Sequence, residues 1–311
     1  MNIRPPMNIR RLIECVPNFS EGRRPAVIDA LVAPFRNKPG LHLLDSRADA
    51  DHNRLVVSLV GEPAPLQEAV LEAARAAAAL IDMRTHRGAH PRIGAVDVIP
   101  FVPVRNVSME ECVSLAREFA ARYARELEVP VYLYESAALR ADRRNLEQVR
   151  KGQYEALAAE GLAAESRRPD FGPFAVHPSA GATAIGARPF LVAFNVNLRS
   201  RDIEAARAIA RTVRTSGGGL PNVKAVGIAL EERGLVQVSI NLTDYRATSI
   251  HQAFAAVRDE ATRRGIEVVE SEIYGLVPAE ALVDAARHSL GLAGFDMSQV
   301  LDLRLLDIAG G

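Results

Sequence analysis

The chain is 311 residues long, more than one hydrophobic core ordinarily serves, so two domains or two matched halves are expected. Its 38 basic residues balance its 38 acidic ones, which removes the global positive field that nucleic acid or an anionic membrane would need. Hydrophobic residues at 48% and charged residues at 24% mark an ordinary globular chain, so any anion site has to be local.

In chain order, the opening MNIRPPMNIRRLIECV offers two start methionines, Met1 and Met7, and lacks the apolar stretch and small-residue cleavage site of a secretory signal. Residues 1–11 are expected to form an unstructured leader. No apolar run approaches the roughly 20 residues that span a bilayer. Two cysteines, Cys15 and Cys112, sit in apolar surroundings and read as core thiols rather than as a disulfide framework or a zinc site. A cytoplasmic protein is expected, with neither membrane nor nucleic acid as partner.

The periodicity predicts a strand at 12–16, an amphipathic helix at 23–37 and strands at 41–46 and 54–61. An alanine-rich helix at 62–82 and a strand at 93–104 follow, completing β-α-β-β-α-β, a ferredoxin-like order. A capping box at Ser108 and Glu111 opens a further helix, and 129–135 reads as another strand. Residues 160–187 are rich in Gly, Pro, Ala and Ser without a period and read as a long loop. Its small residues, among them Gly172, Ser179, Gly181, Ala182, Thr183 and Gly186, suit either close approach to a ligand or a plain linker.

The second half repeats the order. A strand at 188–198, a helix at 201–214 and a hairpin turning near Arg233 and Gly234 come first. A helix at 251–265, a strand at 266–277 and a final helix at 278–291, with proline near its start, complete it. The fold class predicted is α/β (α+β). Each half would cover one sheet face with helices and leave the other for a partner sheet, with a ligand cleft between the halves.

Three polar segments carry candidate chemistry. In HRGAHPRIGAVDVIP, His86, Arg87, His90 and Arg92 crowd the entrance of an apolar strand. The spacing of His86 and His90 matches that of helical zinc proteases, yet Gly88 and Pro91 rule out a comfortable helix and no glutamate follows His86. Acid–base work by histidine suits a rigid loop better. Arg87 and Arg92 would keep a nearby histidine neutral and attract carboxylates. The plain alternative is a surface turn.

LLDSRADADHNR (43–54) joins two strands and carries Asp45, Asp49, Asp51, His52, Asn53 and Arg54; it reads as a ligand-facing turn or as a solvated connection. In VPNFSEGR (16–23), Asn18 and Ser20 suit a helix cap or a ligand contact.

Taken in order, ECVPNFSEG, DHNR, RTHRGAHPRIGAVDVIPFVPV, ELEVPVYLYE, GQYEAL, PDFGP, GATAIGARPFLVAFNVNL, QVSINLTD and GLVP resemble the formiminotransferase family, from about residue 12 to about residue 290. The resemblance implies two ferredoxin-like subdomains, at 12–187 (including the folate-contacting linker) and 188–311, with facing sheets that enclose a folate tunnel. It implies transfer of a formimino group from N-formimino-L-glutamate to N-5 of tetrahydrofolate, a co-substrate, without a metal. His90, in the H-P-R block, would be the catalytic histidine. Arg92, His86, Asp45, Asn53, Arg54, Asn18 and Arg188 would support or bind substrate. Folate would contact Gly172, Pro173, Val176, Pro178, Ser179 and Gly181.

The family also implies a homodimer and, with no cyclodeaminase domain here, release of the product to another enzyme. Two positions depart from its pattern. Arg47 stands in place of an acidic residue two positions after Asp45, and Ala180 replaces an aromatic one. Rival readings are a same-family enzyme with another one-carbon donor, a non-catalytic folate-binding protein, and a metal-dependent hydrolase using His86 and His90.

Overall fold

The computed structural model describes residues 10–50, 52–88 and 90–309. Residues 1–9, which hold Met1, Met7 and most of the expected leader, and Asp51 of the polar turn lie outside the described residues. The described chain divides into two compact units, one ending at Arg188 and the other beginning at Pro189.

In the first unit, β1 (Leu12–Cys15) and β2 (Asn18–Phe19) are successive pieces of one line, interrupted at Val16 and Pro17. Helix α1 (Pro25–Val32) has proline at its first turn and stops early. Pro34 lacks the amide that would continue the helix, so residues 33–35 tighten into a 3-10 turn instead of extending the helix to 37. Strands β3 (Leu41–Asp49) and β4 (Arg54–Gly61) pair antiparallel across the 50–53 turn.

Helix α2 (Pro63–Leu80) buries Leu66, Ala69, Val70, Ala73, Ala74 and Ala77, a spacing of three and four that faces the core. Strand β5 (Val96–Arg105) is buried continuously from Val96 to Val102. Helix α3 (Met109–Leu127) opens on the capping box made by Ser108 and Glu111, and β6 (Val131–Glu135) follows. Two short helices, α4 (Leu146–Val149) and α5 (Gln153–Glu160), precede β7 (Thr183–Ala187).

Strands β1 and β2 both lie between β4 and β5, antiparallel to each, and β3 edges the sheet beyond β4. On the other side β7 pairs parallel with both β5 and β6. Strand β7 corrects the reading of 160–187 as loop throughout. All five of its residues are buried, and the Thr183 hydroxyl donates to the carbonyl of Val96 at 2.8 Å. A short stretch of Thr, Ala and Gly carries neither the alternation nor the branched side chains by which strands are read.

The second unit begins with β8 (Val192–Leu198) and α6 (Ile203–Val213), whose buried residues Ala206, Ile209, Ala210 and Val213 form one stripe. Strands β9 (Val223–Leu230) and β10 (Leu235–Leu242) form the expected hairpin, with Gly234 in the left-handed region at φ 62°. Helix α7 (Ile250–Arg263), β11 (Val268–Tyr274), α8 (Ala279–Leu290) and α9 (Leu301–Ala309) complete it. The four strands are ordered β11-β8-β10-β9. Alternate residues Val192, Phe194, Val196 and Leu198 enter its core beside Val236, Val238 and Ile240. No described helix is long and apolar enough to cross a membrane.

The buried strand β7 makes a direct prediction. Ile185 is 0% exposed, so Ile185→Ala should cost about 2–5 kcal/mol of unfolding free energy in urea. Leu139→Ala, at a residue 59% exposed, should change it by under about 0.5 kcal/mol. Equal small effects would contradict the strand.

Candidate active site

Three segments separated in sequence meet in one small concavity: the turn after β2, the β3–β4 turn and the loop entering β5. Phe19, Ser20, His52, Asn53, Arg54, His86, His90, Arg92 and Asp97 line it. Asn53 ties the segments together from the left-handed region at φ 48°. Its side-chain oxygen accepts from the amide of Gly22 at 2.9 Å, and its side-chain amide donates to the carbonyl of Arg87 at 2.9 Å. Gly88 lies so close beneath this turn that a Cβ would stand 2.2 Å from the carbonyl oxygen of His52. Only glycine fits there.

His86 is buried and both its ring nitrogens are engaged. Arg92 Nε donates to Nδ1 at 3.2 Å, so Nδ1 carries no hydrogen and Nε2 donates to the carbonyl of Asn53 at 3.0 Å. Burial first, and then the charge of Arg92, hold this imidazole below the ordinary histidine range. His86 is an orienting group with no nitrogen left for proton transfer.

Arg92, 5% exposed, has its terminal nitrogens on Glu155 at 2.7 and 2.5 Å, with Gln153 at 3.0 Å. These bonds hold the Glu155 carboxyl below its usual range. The bidentate pair shows why α5 matters: it brings a counter-charge to a buried guanidinium. Asp97, 2% exposed, accepts from the amide of Ile93 at 2.9 Å and pairs with Arg150.

His90 differs from His86. Burial pushes its pKa down to about 2, reinforced by the positive charges of Arg54, Arg150 and Arg92 and by His52. The ring is therefore neutral at any physiological pH. An imidazole without a proton on one nitrogen can accept one from a substrate.

Not every expected site residue reaches this cluster. Asp45 pairs with Arg47 at 2.7 Å, opposite Ser58 in the sheet, and is not among the lining residues. Arg188 donates its amide to Phe101, and its charge acts on Glu14, whose pKa burial raises. The side-chain amide of Asn18 donates to the carbonyl of Val16, and the Ser20 hydroxyl donates to that of Gly94. Neither caps α1, because Glu21 takes the amides of Arg23 and Arg24.

The segment from Gly172 to Gly181 ends against the histidine loop. Ala95 donates to Ala180 at 2.8 Å and Ala182 to Ile93 at 3.0 Å, while the amide of Met83 donates to Ser179 at 2.8 Å. Gly181, at φ 73°, lies where a Cβ would stand 2.4 Å from the carbonyl oxygen of Ile93. Pro173, Val176 and Pro178 belong to this same segment, and Val176 packs against the core.

The sequence reading missed Asp97, Arg150, Gln153 and Glu155. Asp97 had a signal, a lone charge inside the apolar run IGAVDVIPF. Gln153 and Glu155 lie in the GQYEAL block, which marks the resemblance without pointing to a partner, and Arg150 had no signal. Among the described residues no cluster of three or more His, Cys, Asp or Glu could hold a metal ion.

Family comparison decides what kind of site this is. The formiminotransferase domain, N-terminal subdomain, matches residues 12–188, and the formiminotransferase domain matches 193–295. The chain belongs to the formiminotransferase family. Among relatives in that family, a glutamate formimidoyltransferase of Streptococcus pyogenes serotype M1 is 46% identical, over 95% of this chain and 99% of its own. One of Thermoplasma acidophilum is 46% identical over 94% and 97%. The formimidoyltransferase-cyclodeaminase of Mus musculus is 50% identical over 89% of this formiminotransferase chain but 52% of its own.

The depressed basicity of His90 has a consequence for stability. An unfolded His90 takes up a proton near the ordinary 6.5 while the folded one resists it down to about 2. The unfolded state therefore binds more protons in that window, and the contribution to stability, complete above it, is lost as pH falls through the ordinary histidine value. Between about pH 7 and about pH 5, His90→Gln should lose less unfolding free energy in urea than the parent protein. An equal loss in the two would contradict the burial of a neutral ring.

Proposed function

We propose that this chain is a glutamate formimidoyltransferase, moving the formimino group of N-formimino-L-glutamate to N-5 of tetrahydrofolate with His90 as the proton carrier. The observation that carries the reading is the match, over nearly the full length of both chains, to relatives of that name. The two strand orders, β3-β4-(β1,β2)-β5 and β11-β8-β10-β9, support ferredoxin-like subdomains at 12–187 and 188–311.

In this reading N-5 attacks the amidine carbon, a tetrahedral intermediate forms, and glutamate leaves as an amine. His90 takes the proton shed by N-5. Arg54, lining the concavity beside it, receives a donor carboxylate. That carboxylate offsets one of the charges depressing His90, so the base gains strength when the donor is bound. Arg92 is committed to Glu155 and His86, so its role is to hold His86 and the pocket wall rather than substrate. Folate lying along Gly172–Gly181 would be brought to the loop that carries His90, because the end of that segment is hydrogen-bonded to Ile93 and Ala95.

One feature favours another donor within the same reaction class. Arg47 occupies Asp45, so that carboxylate is already paired. A panel of formiminoglutamate, formylglutamate and formylaspartate with tetrahydrofolate separates the two readings.

His90→Ala should lower kcat by about 10²–10⁴-fold with folate affinity nearly unchanged, measured by steady-state kinetics with circular dichroism as the folding check. Turnover near that of the parent in a folded variant would refute the assignment.

A further inference from the structure

Formimino transfer requires two proton movements, one away from the attacking nitrogen and one to the departing nitrogen. His90 is largely buried and lies in the field of Arg54, Arg150 and Arg92. The concavity holds a second imidazole in the opposite situation. The ring of His52 stands 6.4 Å from that of His90, inclined at 60°. Its Nδ1 lies 2.9 Å from Asp49 Oδ2, within ion-pair distance but not aligned for a hydrogen bond, and its amide donates to Asp49 Oδ1 at 2.8 Å. Its side chain is 41% exposed, open to an arriving molecule.

We infer that His52, backed by Asp49, is the general acid that protonates the departing glutamate nitrogen while His90 is the base that accepts the N-5 proton. The assignment rests on the formimidoyltransferase reading and deepens it. A reaction that moves two protons can use one imidazole for each, and here the two have different neighbours: Asp49 beside His52, guanidinium groups around His90. Asp49 supplies the negative partner that an imidazolium needs, and the turn that carries both is locked by Asn53 and by the close approach of Gly88. The other charged or titratable groups lining the concavity are Arg54 from the same turn, His86 and Arg92 from the histidine loop, and Asp97 from β5.

The step balances. The N-5 to carbon bond forms and His90 takes the N-5 proton. The carbon to glutamate nitrogen bond breaks, its electron pair stays on nitrogen, and His52 delivers the proton that makes the neutral amine. His90 then releases its proton to solvent and the exposed His52 takes one up, which restores both rings for the next turnover. No oxidant, reductant or further reactant is consumed.

The test is steady-state kinetics on His52→Ala and His52→Gln, with the parent assayed alongside across pH. Both variants should lose about 10²-fold in kcat with KM changed less than about twofold. The alkaline limb of the parent kcat profile, which reports an acid that must be protonated, should vanish in both. Added imidazole should restore part of the His52→Ala rate, an effect that a structural role would not give. If the parent is active and either folded variant keeps its turnover and alkaline limb, His52 is not the acid and the function stands. If the parent itself fails to transfer the formimino group, the function and this assignment fall together.

Discussion

A neutral imidazole held among positive charges is the constraint on which this site depends. Burial raises the cost of protonating His90 most, and Arg54, Arg150 and Arg92 each add to it. Such a cluster of guanidinium groups could not be buried on its own charge alone. Glu155 neutralises Arg92 and Asp97 neutralises Arg150, which is why α5 and the residue that follows α4, remote in sequence, close around one loop. The field left at His90 keeps the ring neutral, which is what the proposed role as proton acceptor requires.

Positioning follows from backbone fit as much as from charge. The left-handed Asn53 fastens the β3–β4 turn to Gly22 and to the histidine loop, and Gly88 lets the loop lie directly on that turn. Behind it, β5 is buried between the β1–β2 line and β7. The loop is therefore mounted on a strand buried from Val96 to Val102, which suits a group that must sit at reacting distance.

Much of this was legible in the sequence. The alternation of the strands, the alanine-rich α2, the capping box at Ser108 and the crowding of His86, His90 and Arg92 all have local signatures. What was not legible is long-range pairing. Arg92 meets Glu155 across 63 positions and Asp97 meets Arg150 across 53, and no period or motif announces such a partner. Arg92 in particular reads as a free carboxylate receptor until α5 is seen to occupy it. Strand β7 was hidden for another reason: Thr, Ala and Gly fit tight packing between two parallel neighbours but resemble linker composition. Asp45 lies in the same sheet as the site, yet its carboxylate pairs with Arg47, and Arg188, just past β7, acts on Glu14.

The central claim is that His90 is neutral when free and gains basicity as a donor carboxylate arrives. The most direct measurement is a 15N nuclear magnetic resonance titration of the His90 ring, alone and with saturating L-glutamate. The account predicts a ring that stays neutral well below the ordinary histidine range in the free protein, and that takes up its proton at distinctly higher pH with glutamate bound. A free-protein titration near the ordinary value of 6.5, unmoved by glutamate, would contradict it.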